Sequence, residues 1–157
     1  MGYFKNAQIC LNGHAITSDI QYRSQPFCSK CGAKTISKCP HCDASIHGEY
    51  HVDGVFVPGK KYIVPSYCHH CGNPYPWTEQ ILNNAVELLA LDDELDEQTK
   101  ELIKTAIPDL LVDTPATPLA TAKYQKGISR AGSVLKNSFY QLLVDVVSET
   151  VKKTLFL

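Results

Sequence analysis

The chain has 157 residues, 20% of them charged and 44% apolar, and a formal net charge of −1. That length makes one medium domain or two small ones, and a balance so close to neutral argues against a dedicated nucleic-acid binder, whose domain has a pI above about 9. No apolar run approaches the ~18 residues of a membrane span and none near the start resembles a secretory leader, so a soluble, cytoplasmic protein that does not enter membranes is expected.

Residues 1–27 begin with Tyr3-Phe4-Lys5-Asn6-Ala7-Gln8-Ile9, turn at Asn12-Gly13 and continue as Ala15 to Arg23 with Ile16, Ile20 and Tyr22 among polar residues. Short β-ribbon is predicted there, and one short strand within Ala33 to Lys38. From Ile46 to Val64, turn signals at Asp53-Gly54 and Pro58-Gly59 separate extended runs and predict a β-hairpin region, whose apolar residues would form a small core. The character changes at Asn73-Pro74-Tyr75-Pro76-Trp77-Thr78, a stiff connector in which Thr78 is expected to cap a helix over residues 79–91. A second helix is predicted over 95–107 with Pro108 stopping or kinking it, and a loop at Asp113 to Pro118. The longest helical pattern begins near Leu119 or Ser133 and runs to Thr154, with Leu135, Phe139, Leu142, Leu143, Val146, Val147 and Val151 in one stripe. Such a stripe suits either the core of a helix bundle or a twofold contact between copies of the chain.

The seven cysteines organise this plan. Cys28/Cys31, Cys39/Cys42 and Cys68/Cys71 are C-x2-C pairs, and Cys10 with His14 is a C-x3-H pair. A C-x2-C turn presents two thiolates on one side of a backbone reversal, half of a tetrahedral zinc shell. Four pairs therefore make eight ligands for two zinc ions; iron takes the same shell less often, and disulfides are disfavoured by this spacing in a reducing compartment. Three pairings are open: sequential, crossed as in RING-type modules, or nested with both central knuckles on one metal. The sequential one, with intervening segments of 13 and 25 residues, is favoured because local connections rarely interweave. His41, His47, His51, His69 and His70 are left over, the first, fourth and fifth facing solvent inside knuckles and the other two decorating one face of a strand. Of the eight ligands, His14 is the one a spare histidine would displace.

Two complete shells leave no open coordination position, and beyond residue 71 there is no Cys or His; phosphate-loop, dinucleotide and nucleophile-elbow motifs are also missing. The expectation is a non-enzymatic protein. Residues 1–78 carry seven Lys/Arg against four Asp/Glu, residues 79–113 two against ten, and residues 114–157 six against two. The acids Asp92 to Glu97 are read as a solvated helix junction. Lys30, Lys34, Lys38, Lys60 and Lys61, interleaved with Tyr50, Phe56, Tyr62 and Tyr67, supply the second reading, a nucleic-acid surface.

The series C-x3-H, F-C-x2-C-G, C-x2-C, Y-C-x2-C-G and Pro-Tyr-Pro-Trp-Thr resembles a bacterial family of small double zinc-ribbon proteins in the domain-of-unknown-function class. The resemblance covers residues 9–80 well and the helical half loosely, and it implies bacterial origin and metal binding without a reaction. The resulting expectation is an α+β chain: a β-rich double zinc ribbon over residues 1–77 and a three-helix region over 78–157. Its expected role is that of an adaptor or regulatory module for a protein partner.

Overall fold

The computed structural model describes residues 1–156 and divides them into two compact units, Met1–Gln80 and the chain from Ile81 onward. The fold is α+β, with all strands in the first unit.

In that unit β1 (Tyr3–Asn6) pairs antiparallel with β5 (His47–His51), while β2 (Gln8–Cys10) lies between β3 (Ala15–Thr17) and β4 (Thr35–Ile36). The central strand β2 is buried along its whole length, and Ile9 faces Ile36 on one side and Ala15 on the other. Short strands of this kind bury little by themselves; Ala7, Ile9, Ile46, Tyr75 and Trp77 close one small core with Cys39 and Cys68, and Ile16 closes another with Cys10 and Cys28.

The predicted hairpin across 46–64 does not form. Its first arm is β5, but the partner is β1, where Tyr3 lies opposite His51 and Phe4 opposite Tyr50. These cross-strand pairs place rings in contact, Tyr3–His51 at 5.3 Å and Phe4–Tyr50 at 5.0 Å, a stabilisation that the three-residue run Val55 to Val57, confined between two turns, cannot match. Val55, Phe56, Val57 and Ile63 are consequently exposed, whereas Tyr62 and Val64 pack against the core.

Helix α1 (Pro76–Leu91) starts earlier than predicted. Pro76 occupies the first helical position, where its missing N–H costs nothing, and Tyr75 O accepts from Thr78 N and Glu79 N at 2.9 and 3.0 Å. Thr78 is not the cap; it is buried inside the first turn with its hydroxyl donating to Ser66 O at 2.8 Å.

The second unit is helical. Asp96 caps α2 (Glu97–Ala106) by accepting from Thr99 N at 2.6 Å, and Asp92 Oδ1 accepts from Glu94 N and Leu95 N at 2.9 Å each. The acidic run is thus a helix junction. Pro108 ends α2 and opens the single turn α3 (Pro108–Leu111). The long C-terminal pattern divides into α4 (Thr117–Ile128), α5 (Ser133–Leu143) and α6 (Glu149–Leu155), so this region holds more helices than the three expected. The breaks have local causes: Gly132 is the extended N-cap of α5, and Ser148, whose N–H donates to Leu110 O at 3.1 Å, caps α6. Gly127 lies inside α4, where a methyl group would meet Ile103 Cγ1 of α2 at 2.5 Å. Leu135, Phe139, Leu143, Val147 and Val151 of the stripe are buried in the core around Ile103, Ile107 and Leu110, with Leu142 and Val146 packed against it.

Candidate metal centre

The three C-x2-C knuckles are built alike. In each, the first cysteine N–H bonds a carbonyl five residues on, and the residue four places on donates back to the first cysteine's carbonyl: Cys28 with Ala33 and Gly32, Cys39 with Ala44 and Asp43, Cys68 with Asn73 and Gly72. The donor that closes the turn must have positive φ, and it does: +74° at Gly32, +61° at Asp43 and +76° at Gly72. Glycine fits this conformation freely and Asp tolerates it, which explains the residue types present. The C-x3-H loop is the fourth such reversal, Cys10 N to His14 O and Gly13 N to Cys10 O, both at 2.9 Å.

These turns bring Cys10, His14, Cys28 and Cys31 into one group and Cys39, Cys42, Cys68 and Cys71 into another, each with its donor atoms all within 4.8 Å of one another. The grouping is the sequential one, and His41, His47, His51, His69 and His70 belong to neither. Sulfurs separate by 3.7 Å in Cys10–Cys31, 3.8 Å in Cys39–Cys71 and 3.7 Å in Cys42–Cys68. His14 Nδ1 lies 3.5 Å from Cys10 Sγ and 3.6 Å from Cys28 Sγ. A regular tetrahedron with Zn–S of about 2.3 Å and Zn–N of about 2.0 Å has edges of about 3.8 Å between sulfurs and about 3.5 Å between sulfur and nitrogen. The five separations above match such edges, and the three between sulfurs are far beyond the ~2.05 Å of a disulfide. Both groups can hold a metal ion.

The thiols are prepared for that role by N–H donors. The Cys31 thiol is held down to about 6 by the Ala33 N–H and then by the Asn12 side chain, which reaches its sulfur at 3.4 Å. Asn73 does the same for Cys71, through its backbone N–H and then its amide at 3.4 Å. At Cys68 burial opposes ionisation, but the N–H groups of Cys71 and His70 outweigh it and bring the thiol to about 6. Burial raises Cys10 and Cys39. At Cys42 the Ala44 N–H favours the thiolate, yet burial and the neighbouring Cys68, Cys71 and Cys39 push the thiol up to about 12. Each group thus has low and high members, so its protons leave unevenly until a cation neutralises the cluster. Asn12 and Asn73 escaped the sequence reading, which took one as a turn residue and the other as the start of a connector. Each follows a ligand by two positions, the signal that marks them.

The spare histidines have other partners. His47 is sandwiched between Phe4 and His69, with ring centroids at 3.9 and 3.5 Å, His51 bonds Asp53 at 3.0 Å, and His41 sits 3.9 Å from Glu79. Lys30, Lys34, Lys38, Lys60 and Lys61 are all exposed. Among the described residues no helix is long and apolar enough to cross a membrane.

No curated protein and no solved structure matches the chain. A family profile does, over residues 3–155, which extends the likeness through the helical half that the motif series covered only loosely. The chain belongs to the bacterial family described as "Uncharacterized protein conserved in bacteria (DUF2321)".

Proposed function

We propose that both tetrads hold structural zinc and that the protein is a non-enzymatic adaptor or regulatory module whose zinc-ribbon unit presents a surface to a protein partner. The observation that carries this reading is the completeness of the two shells. Each tetrad offers four protein donors within 4.8 Å of one another, so an ion bound by all four has no position left for water or substrate, as a catalytic zinc requires. Thiolate-rich shells favour zinc or iron over harder cations. The adaptor part is supported by apolar side chains that the unit does not bury, Phe56 at 86% exposure and Ile63 at 82% foremost.

Metal analysis of the purified, reduced protein tests the first part: two zinc equivalents per chain are expected, and one or fewer sinks the assignment. Capture of partners by the intact protein from its native lysate, with and without nuclease, tests the second. Nuclease-resistant recovery of a protein supports the adaptor, and nuclease-sensitive recovery replaces it with nucleic-acid binding.

A further inference from the structure

One buried polar group near the second tetrad is unaccounted for. Tyr75 is 1% exposed, and its hydroxyl has no hydrogen-bond partner. The polar side chains around it are satisfied: Tyr62 Oη donates to His47 O at 2.6 Å, Trp77 Nε1 to Pro65 O at 2.9 Å and Thr78 Oγ1 to Ser66 O at 2.8 Å. A buried hydroxyl left unpaired is destabilising, and phenylalanine would fill the same space without that cost. Tyr75 shares its core with two ligands of the second tetrad, Cys39 and Cys68. It cannot easily turn elsewhere. Its N–H donates to Ser66 O at 3.0 Å, its carbonyl receives the first turn of α1, and its ring stacks on Trp77 at 4.8 Å. The phenol is raised from its usual range by burial first and then by its proximity to Cys68 and Cys39.

We propose that the Tyr75 hydroxyl is the outer donor of the second tetrad, bonding the Cys68 sulfur when that thiolate is metal-bound and tying the centre to the first turn of α1. A thiolate is a stronger acceptor than a thiol, so the bond gains strength in the metal-loaded state. His70 N already donates to Cys68 at 3.4 Å, and the phenol adds a side-chain donor. Groups of this kind fix a ligand's orientation and spread its charge, and their loss typically weakens metal binding by roughly 10–100-fold. The inference rests on the reading of the second tetrad as a metal centre.

Tyr75→Phe in the full chain tests it, with cadmium-113 NMR to resolve the four-sulfur shell from the three-sulfur, one-nitrogen shell and chelator competition to rank zinc affinities. The expected result is a shifted four-sulfur resonance and about 10–100-fold weaker zinc at that site, with an unchanged first site. Tyr62→Phe, which deletes a hydroxyl bonded to a carbonyl, is the control and should leave the ratio of the two affinities unchanged. Equal affinities in Tyr75→Phe and wild type, or equal losses at both sites, overturn the inference while two wild-type equivalents keep the zinc reading intact. A wild-type protein that binds fewer than two equivalents overturns both.

Discussion

Removing the metals should dismantle the first unit, and a single tryptophan reports it. The non-cysteine apolar side chains buried there are Ala7, Ile9, Ile16, Ile46, Tyr75 and Trp77; at about 1.5–3 kcal/mol for each large one, the set contributes on the order of 10 kcal/mol. A structural zinc contributes about 10–16 kcal/mol. Each ion therefore matters as much as the whole apolar core, and the strands, two to five residues long, cannot replace it. Trp77, the only tryptophan, touches both centres: its ring stacks on Tyr75 beside the second, and a methyl group on Gly13, in the first tetrad's loop, would come within 3.0 Å of its Cβ. Chelation under reducing conditions is expected to shift its emission to that of a solvated indole and to erase its near-ultraviolet circular dichroism, while the far-ultraviolet helical signal largely persists. Cys39→Ser and Cys28→Ser, which strike one centre each, should reproduce the shift. Unchanged emission from protein shown by metal analysis to be zinc-free would refute the reasoning.

Two further predictions concern the thiols and the helices. Asn12→Ala, which removes the amide that reaches the Cys31 sulfur at 3.4 Å, should weaken zinc at the first tetrad by roughly 10–100-fold in chelator competition and leave the second unchanged; an affinity equal to wild type contradicts the role given to that donor. Gly127→Ala should destabilise the helical unit by about 1 kcal/mol in urea unfolding, since overpacking against Ile103 Cγ1 at 2.5 Å costs about 1–3 kcal/mol and the gain in helix propensity returns only about 1; a more stable variant means that α2 and α4 are not held this close.

Cysteine spacing made the site legible because a C-x2-C turn needs few residues and imposes its own geometry; Gly32 and Gly72 sit where that turn demands positive φ. The sequential grouping followed from locality, since each tetrad joins neighbouring pairs. What escaped were interactions that depend on distant partners. Nothing near His47 to His51 in the chain announces that β5 will pair with β1, some forty residues upstream, and the extended run beyond the Asp53-Gly54 turn looked like a better neighbour. The helical stripe from Leu135 to Val151 kept its period across the break before Ser148, because a bent chain can return the same face to the core, so its residues were legible and its division was not. Tyr75 read as connector because burial of its hydroxyl in a core shared with Cys39 and Cys68 is a property of the folded unit alone.

The fate of that stripe decides where a partner can bind. Leu135, Phe139, Leu143, Val147 and Val151 are already buried, and Leu142 packs against them, so a charge at Leu142 strikes the helical core and should cost about 1–3 kcal/mol of stability. Phe56 and Val57, by contrast, touch no core and stand exposed on the segment that β5 left without a strand partner; substitutions there change stability by only about 0.5 kcal/mol. An adaptor that uses this segment loses its partner without losing its fold. Phe56→Asp with Val57→Asp is therefore expected to retain both zinc ions and the native Trp77 emission while abolishing nuclease-resistant capture, whereas Leu142→Asp should lower the unfolding midpoint and keep capture at temperatures where it remains folded. If the double variant captures its partner as well as wild type does, the contact surface is not this segment, and the exposed rings of Tyr3, Phe4 and Tyr50 on the β1–β5 ribbon become the next to be tested.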